Sequence, residues 1–121
     1  MKQKDALGQF EQLMMTALVL LGEQAYTLSV QAKASELADR DVSLGAVYVT
    51  LDRMEDKGYV ESWLADPSPD RGGRPKRYYR LLPAGERVLV ESVATTRRIH
   101  EAVEESSWWR LGKWRPGRAK R

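Results

Sequence analysis

The sequence predicts an α+β fold, mainly α: three short helices, a two-stranded hairpin and a longer C-terminal helix. Three observations predict it. Apolar residues recur at helical spacing in four separate stretches. Gly22 and Gly58 close two of them, where a helix stop favours a residue able to turn left-handed. Two segments with apolar and aromatic residues, Val60 to Ala65 and Arg77 to Leu82, flank a loop of prolines, glycines and arginines, the pattern of a hairpin with a long connection.

The first helix is expected from about Asp5 to Leu21. Leu7, Phe10, Met14, Ala17, Leu18 and Leu21 share one face, and Leu13, Val19 and Leu20 widen it. So apolar a helix lies deep in the domain or packs against a second subunit. Its run from Leu13 to Leu21 is too short to cross a bilayer, which needs about 20 residues. The second helix is expected from Thr27 to Ala38, with Tyr26, Val30, Ala34 and Leu37 inward and Ser29, Gln31, Lys33 and Glu36 outward. Val42 could then pair with the hairpin as a minimal strand.

The third helix begins behind Ser43, whose hydroxyl can cap a free backbone N–H. Leu44, Val47, Tyr48, Leu51 and Met54 form its apolar face, and Gly45, Ala46, Val49, Thr50 and Arg53 the other. Gly45 costs a helix about 1 kcal/mol against alanine. Either another surface comes close there or the helix packs tightly against its predecessor. Two short helices joined by a tight connection form a helix-turn-helix, whose second helix docks in a DNA major groove.

Within the loop Asp66 to Lys76, the cations Arg71, Arg74 and Lys76 stand against Asp70, with Arg77 and Arg80 beyond. A basic loop beside a candidate recognition helix suits phosphates and a narrow minor groove, although such loops are also found as plain solvated turns. Pro83 opens the last helix at a position where its missing N–H costs little. Leu89, Val93, Thr96, His100 and Val103 fall near one stripe, and the helix is expected to reach Trp109. Little local core is left for it to cover, so it is read as a dimer arm, the alternative being a helix folded back on its own domain. The organisation is thus a winged helix-turn-helix over 1–82, a C-terminal dimerisation helix over 83–109 and a basic tail over 110–121 expected to be disordered.

Charge supports a local basic site rather than a basic body. The 121 residues carry 20 Lys and Arg against 17 Asp and Glu. Six of those cations, and no acid, follow Trp108, so the preceding 14 cations against 17 acids leave the body at −3. Absence of cysteine fits a reducing cytoplasm and excludes thiolate metal sites. A lone histidine, His100, cannot assemble a metal centre or a histidine triad within one chain. Neither an enzyme nor a cofactor is expected.

These residues resemble a known family. Leu44-Gly45-Ala46-Val47-Tyr48-Val49-Thr50-Leu51-Asp52-Arg53-Met54-Glu55-Asp56-Lys57-Gly58-Tyr59-Val60 is similar to the recognition-helix segment of PadR transcriptional regulators. Gly72-Gly73-Arg74-Pro75-Lys76-Arg77-Tyr78-Tyr79-Arg80-Leu81, followed by Pro83-Ala84-Gly85, is similar to that family's wing and the start of its last helix. Tyr26-Thr27 stands where the family usually has Tyr-Gly. The resemblance, to the compact branch with a single C-terminal helix, implies a bacterial, cytoplasmic homodimer closed by its first and last helices and repressing a nearby promoter.

Two copies would set two third helices on successive major grooves of a pseudo-palindromic operator, about one turn apart. Ser43, Gly45, Ala46, Thr50 and Arg53 would meet bases or phosphates, and Arg71, Arg74 and Lys76 the flanking backbone or minor groove. Tyr48 and Leu51 are assigned to the core. Regulators of this type often respond to a small aromatic effector. Trp108 and Trp109 could stack on one, although packing against the first helix is the preferred reading. The competing function is a winged-helix module that binds protein and not DNA, which would not need a cationic loop.

Overall fold

The computed structural model describes residues 7–65 and 75–106. Helix α1 spans Gln9–Leu21, α2 Thr27–Ala38 and α3 Leu44–Asp56; strands β1 (Val60–Leu64) and β2 (Arg77–Leu81) form the hairpin, and α4 spans Pro83–Glu105. The fold is mainly helical with one small antiparallel sheet, in register Val60 with Leu81 through Leu64 with Arg77.

Local chemistry sets the boundaries. Helix α1 begins at Gln9, later than the expected Asp5, because extended Gly8 caps it and donates its N–H to Glu11 Oε1 at 3.0 Å. It stops at Gly22, whose φ of +57° a side chain would resist. Ser43 Oγ accepts from the Ala46 N–H at 3.1 Å and caps α3 as the sequence indicates. Gly58, at φ +82°, ends it, and Tyr59 N–H turns back to the Met54 carbonyl at 3.0 Å. Helix α4 ends at Glu105, short of Trp109, with Ser106 extended.

The core lies between α1, α2, α3 and the inner side of the hairpin: Met14, Met15, Leu18, Val30, Val47, Leu51, Met54, Val60 and Tyr79 are all buried. Val42 is buried too, but it is not a strand. Its N–H donates to Ser35 Oγ and its carbonyl accepts from Gln31 Nε2, both at 3.0 Å, so it latches the α2–α3 turn to α2. The third edge contact of the sheet comes instead from Tyr26, bridged to Tyr78, with Tyr79 N–H donating to the Ala25 carbonyl at 3.0 Å. Leu37, assigned inward by periodicity, is exposed: it is the next-to-last residue of α2, in the final turn.

Gly85 fixes how α4 leaves the hairpin. A Cβ there would lie 2.1 Å from the Tyr59 carbonyl oxygen, so only glycine permits the approach. The same carbonyl accepts the Leu82 N–H at 2.9 Å. Further along, Gln12 Oε1 of α1 accepts from Ser92 Oγ at 2.5 Å and Thr96 Oγ1 at 3.3 Å. From Thr95 to Glu105 every residue is exposed, so the end of α4 does not fold back on its own domain.

Candidate nucleic-acid interface

The buried side of α3 is made by Val47, Thr50, Leu51 and Met54. Compared with the face that apolar spacing predicts, it is rotated by about half of the 100° step between residues. Two assignments change as a result. Thr50, expected at DNA, is only 4% exposed, its side chain taken up by the core. Tyr48, expected in the core, is 45% exposed. Both side chains are amphipathic, and a binary apolar pattern places such residues badly: a threonine methyl fills a core gap, while a phenol keeps its hydroxyl in water.

Ser43, Gly45 and Ala46 share the first turn of α3, and Gly45 is exposed. A Cβ at Gly45 would meet nothing within 4 Å. Packing against α2 therefore does not require this glycine. Val49, 60% exposed, continues the same side one turn further on. The sequence placed Val49 outward but assigned it no role; its i, i+4 relation to Gly45 was the available signal. The C-terminal half of α3 turns acidic outward, with Asp52 and Asp56 exposed.

Arg53 has a structural partner. Its Nε lies 3.5 Å from Glu11 Oε2 of α1, and Lys57 Nζ lies 3.5 Å from the same oxygen. Burial raises the Glu11 pKa, but the Gly8 N–H, Lys57 and Arg53 together outweigh it and hold the carboxyl below its ordinary range. The arginine side chain is half exposed, with its Nε edge turned to Glu11 of α1.

At the hairpin base, Lys76 Nζ sits 3.6 Å from the Tyr26 ring centroid, which ties it to the start of α2. Tyr26 also meets Tyr78 at 5.6 Å, and Tyr78 stacks on Trp63 at 6.1 Å. Arg80 pairs with Glu61 and lies over Trp63. Glu55 of α3 accepts from the Ser62 hydroxyl at 3.0 Å, and that hydroxyl accepts from Arg77 at 2.9 Å. The hairpin is thus braced against both α2 and α3. Arg71 and Arg74 lie outside the described residues, as do Trp108 and Trp109. The structure therefore brings Ser43, Gly45 and Ala46 together, sets Lys76 on a separate braced element, and removes Thr50 from the surface.

Among the described residues no group of three or more metal-ligating side chains gathers, and no helix is long and apolar enough to cross a membrane. The pattern of the transcriptional regulator PadR-like family matches residues 17–91. No curated protein sequence matches the chain. Among solved structures, it is similar to a PadR-like transcriptional regulator from Bacillus cereus, with 22% identity over 78% of this chain and 87% of that one and a TM-score of 0.66. A PadR family regulator from Clostridium difficile is 23% identical over 81% of this chain and 97% of that one, with a TM-score of 0.65. One from Eggerthella lenta is 26% identical over 77% and 79%, with a TM-score of 0.61. The family is one of transcription regulators and not of enzymes, and with its pattern spanning more than half of the sequence on the same winged fold, this chain belongs to the PadR-like family of transcriptional regulators.

Proposed function

We propose that the chain is a homodimeric repressor that binds a pseudo-palindromic operator in double-stranded DNA, in the cytoplasm of a bacterium, and releases it in response to a small aromatic effector. One observation carries the DNA reading: the first two turns of α3 present Ser43, Gly45, Ala46 and Val49, small and uncharged, beside the exposed Tyr48 and with open space above Gly45. A helix edge this slim can approach the floor of a major groove closely. Lys76, held at the wing base, and Arg71 and Arg74 in the loop supply phosphate or minor-groove contacts. Thr50 is buried and leaves the contact set, while Arg53, half exposed beside Glu11, stays in it as a phosphate contact.

Two bare apolar surfaces support dimerisation. Val19 and Leu20 on α1 are exposed, as are Val90, Ile99 and Val103 on α4. A groove between the two helices is lined by Val19, Leu89, Val90 and Val93. A second copy crossing its α4 over this groove would cover both helices. Trp108 and Trp109 are the proposed effector wall.

Binding-site selection from random DNA, followed by gel shift over a salt series, tests the function. The expected result is a two-fold symmetric site whose affinity falls steeply with salt, with Arg74→Ala weakening binding and reducing the salt slope by about 1. An unchanged slope removes the wing from the interface. Failure to retain DNA even at low salt favours a protein-binding winged helix instead.

A further inference from the structure

The outward side of α3 lacks the side chains that read purines. Specific readout of guanine uses Arg or Lys, and of adenine Asn or Gln, in bidentate contacts. Between Leu44 and Asp56 the sequence has no lysine, asparagine or glutamine, and its one arginine, Arg53, lies in the C-terminal half between Asp52 and Asp56 with its Nε 3.5 Å from Glu11 Oε2. Of the three acids, Glu55 is held by the Ser62 hydroxyl, while Asp52 and Asp56 face solvent on the C-terminal half. Their charge repels phosphates and limits groove entry to the first two turns. The hydroxyls of Ser43 and Tyr48 can donate or accept, so they discriminate weakly between base edges.

What remains is an aliphatic group. Val49 is the most exposed large apolar residue of α3, and it stands one turn after Gly45, where the helix backbone can come closest to the bases. The one apolar feature on a major-groove base edge is the C5 methyl of thymine. We infer that α3 reads its operator through thymine methyl groups, with Val49 as the specificity-determining residue and Ala46 beside it. This rests on the DNA-binding reading above. It adds what that reading leaves open, namely which base the helix selects and by which chemistry.

The experiment uses the full chain and the operator obtained by selection. Each thymine is replaced singly by deoxyuridine, which keeps base pairing and removes only the methyl. At one or two thymines in each half-site, affinity is expected to fall about 3- to 5-fold, as loss of one buried methyl group predicts. Val49→Ala binds the thymine operator more weakly and suffers no further loss at those same positions, the signature of direct coupling. Val49 is exposed, so the variant folds as the parent does, which circular dichroism checks. Full affinity for a deoxyuridine operator, or an undiminished deoxyuridine penalty in Val49→Ala, overturns the inference while leaving DNA binding in place. Absence of any salt-dependent DNA binding overturns the functional reading, and this inference with it.

Discussion

Helices α3 and α4 both expose apolar side chains, but for different physical reasons. Helix α3 is anchored on one side by Val47, Thr50, Leu51 and Met54 and clamped at its outer edge by Glu11, so its exposed Val49 costs the fold little. Helix α4 is anchored over its first half, by the Gly85–Tyr59 approach, by Val88 and Leu89 against the core and by the Gln12 bonds to Ser92 and Thr96, while every residue from Thr95 to Glu105 is exposed. An eleven-residue helical segment, roughly 16 Å long, is marginal alone in water and needs tertiary or quaternary cover. The comparison teaches that exposed apolar surface on a braced helix can stay bare at little cost, whereas on an unbraced one it leaves the helix itself marginal, which the proposed dimer would relieve.

The largest expected effect strikes the anchor of α4. Gly85→Ala drives a methyl into the Tyr59 carbonyl and is expected to cost about 3 kcal/mol in urea unfolding; a loss under 1 kcal/mol would mean that the α4 junction adjusts freely. Next comes the bare stripe of α4. Val90→Asp with Ile99→Asp leaves the monomer's core intact but is expected to weaken self-association about a hundredfold in sedimentation equilibrium, since each buried charge would lack a partner. An unchanged dissociation constant would show that these residues lie outside the subunit contact.

The clamp of α3 gives a smaller effect with a pH signature. Glu11→Gln is expected to cost about 1–2 kcal/mol by weakening charge-assisted bonds to Arg53 and Lys57. Because the folded-state pKa of Glu11 is lowered, its contribution is present above the ordinary carboxylate pKa and is lost as pH falls through the folded value. The difference in stability between the parent and Glu11→Gln should therefore shrink on acidification, and a constant difference would locate the clamp's energy elsewhere. The smallest effect on stability has the opposite sign. Gly45→Ala should stabilise the fold by up to about 1 kcal/mol, since the new methyl meets no atom within the chain. DNA affinity should drop in the same variant. Stabilisation without loss of affinity would show that no groove floor comes close to Gly45.

Much of this architecture was legible along the chain because it rests on local chemistry. The Ser43 cap, the Gly22 and Gly58 stops, Pro83 in the first turn of α4 and the strand pairing each depend on residues close in sequence, and the structure places them within a residue or so of expectation. The family's motifs were legible for the same reason. Burial of amphipathic side chains was not: Thr50 and Tyr48 exchange places because rotation of α3 is set by α1 and α2, not by its own periodicity.

By itself, then, the sequence determined most helix and strand boundaries, the start of α1 and the end of α4 apart, together with which glycines turn the chain and which family it joins. Backbone dihedrals and caps are decided over a few residues, and sequence carries them directly. Only the tertiary structure decided that Arg53 pairs with Glu11 of α1, that Tyr26 rather than Val42 borders the sheet, and that Thr50 turns inward while Tyr48 is exposed. Each of these depends on atoms far apart in the chain, and packing settles them through shape and charge that no single stretch contains.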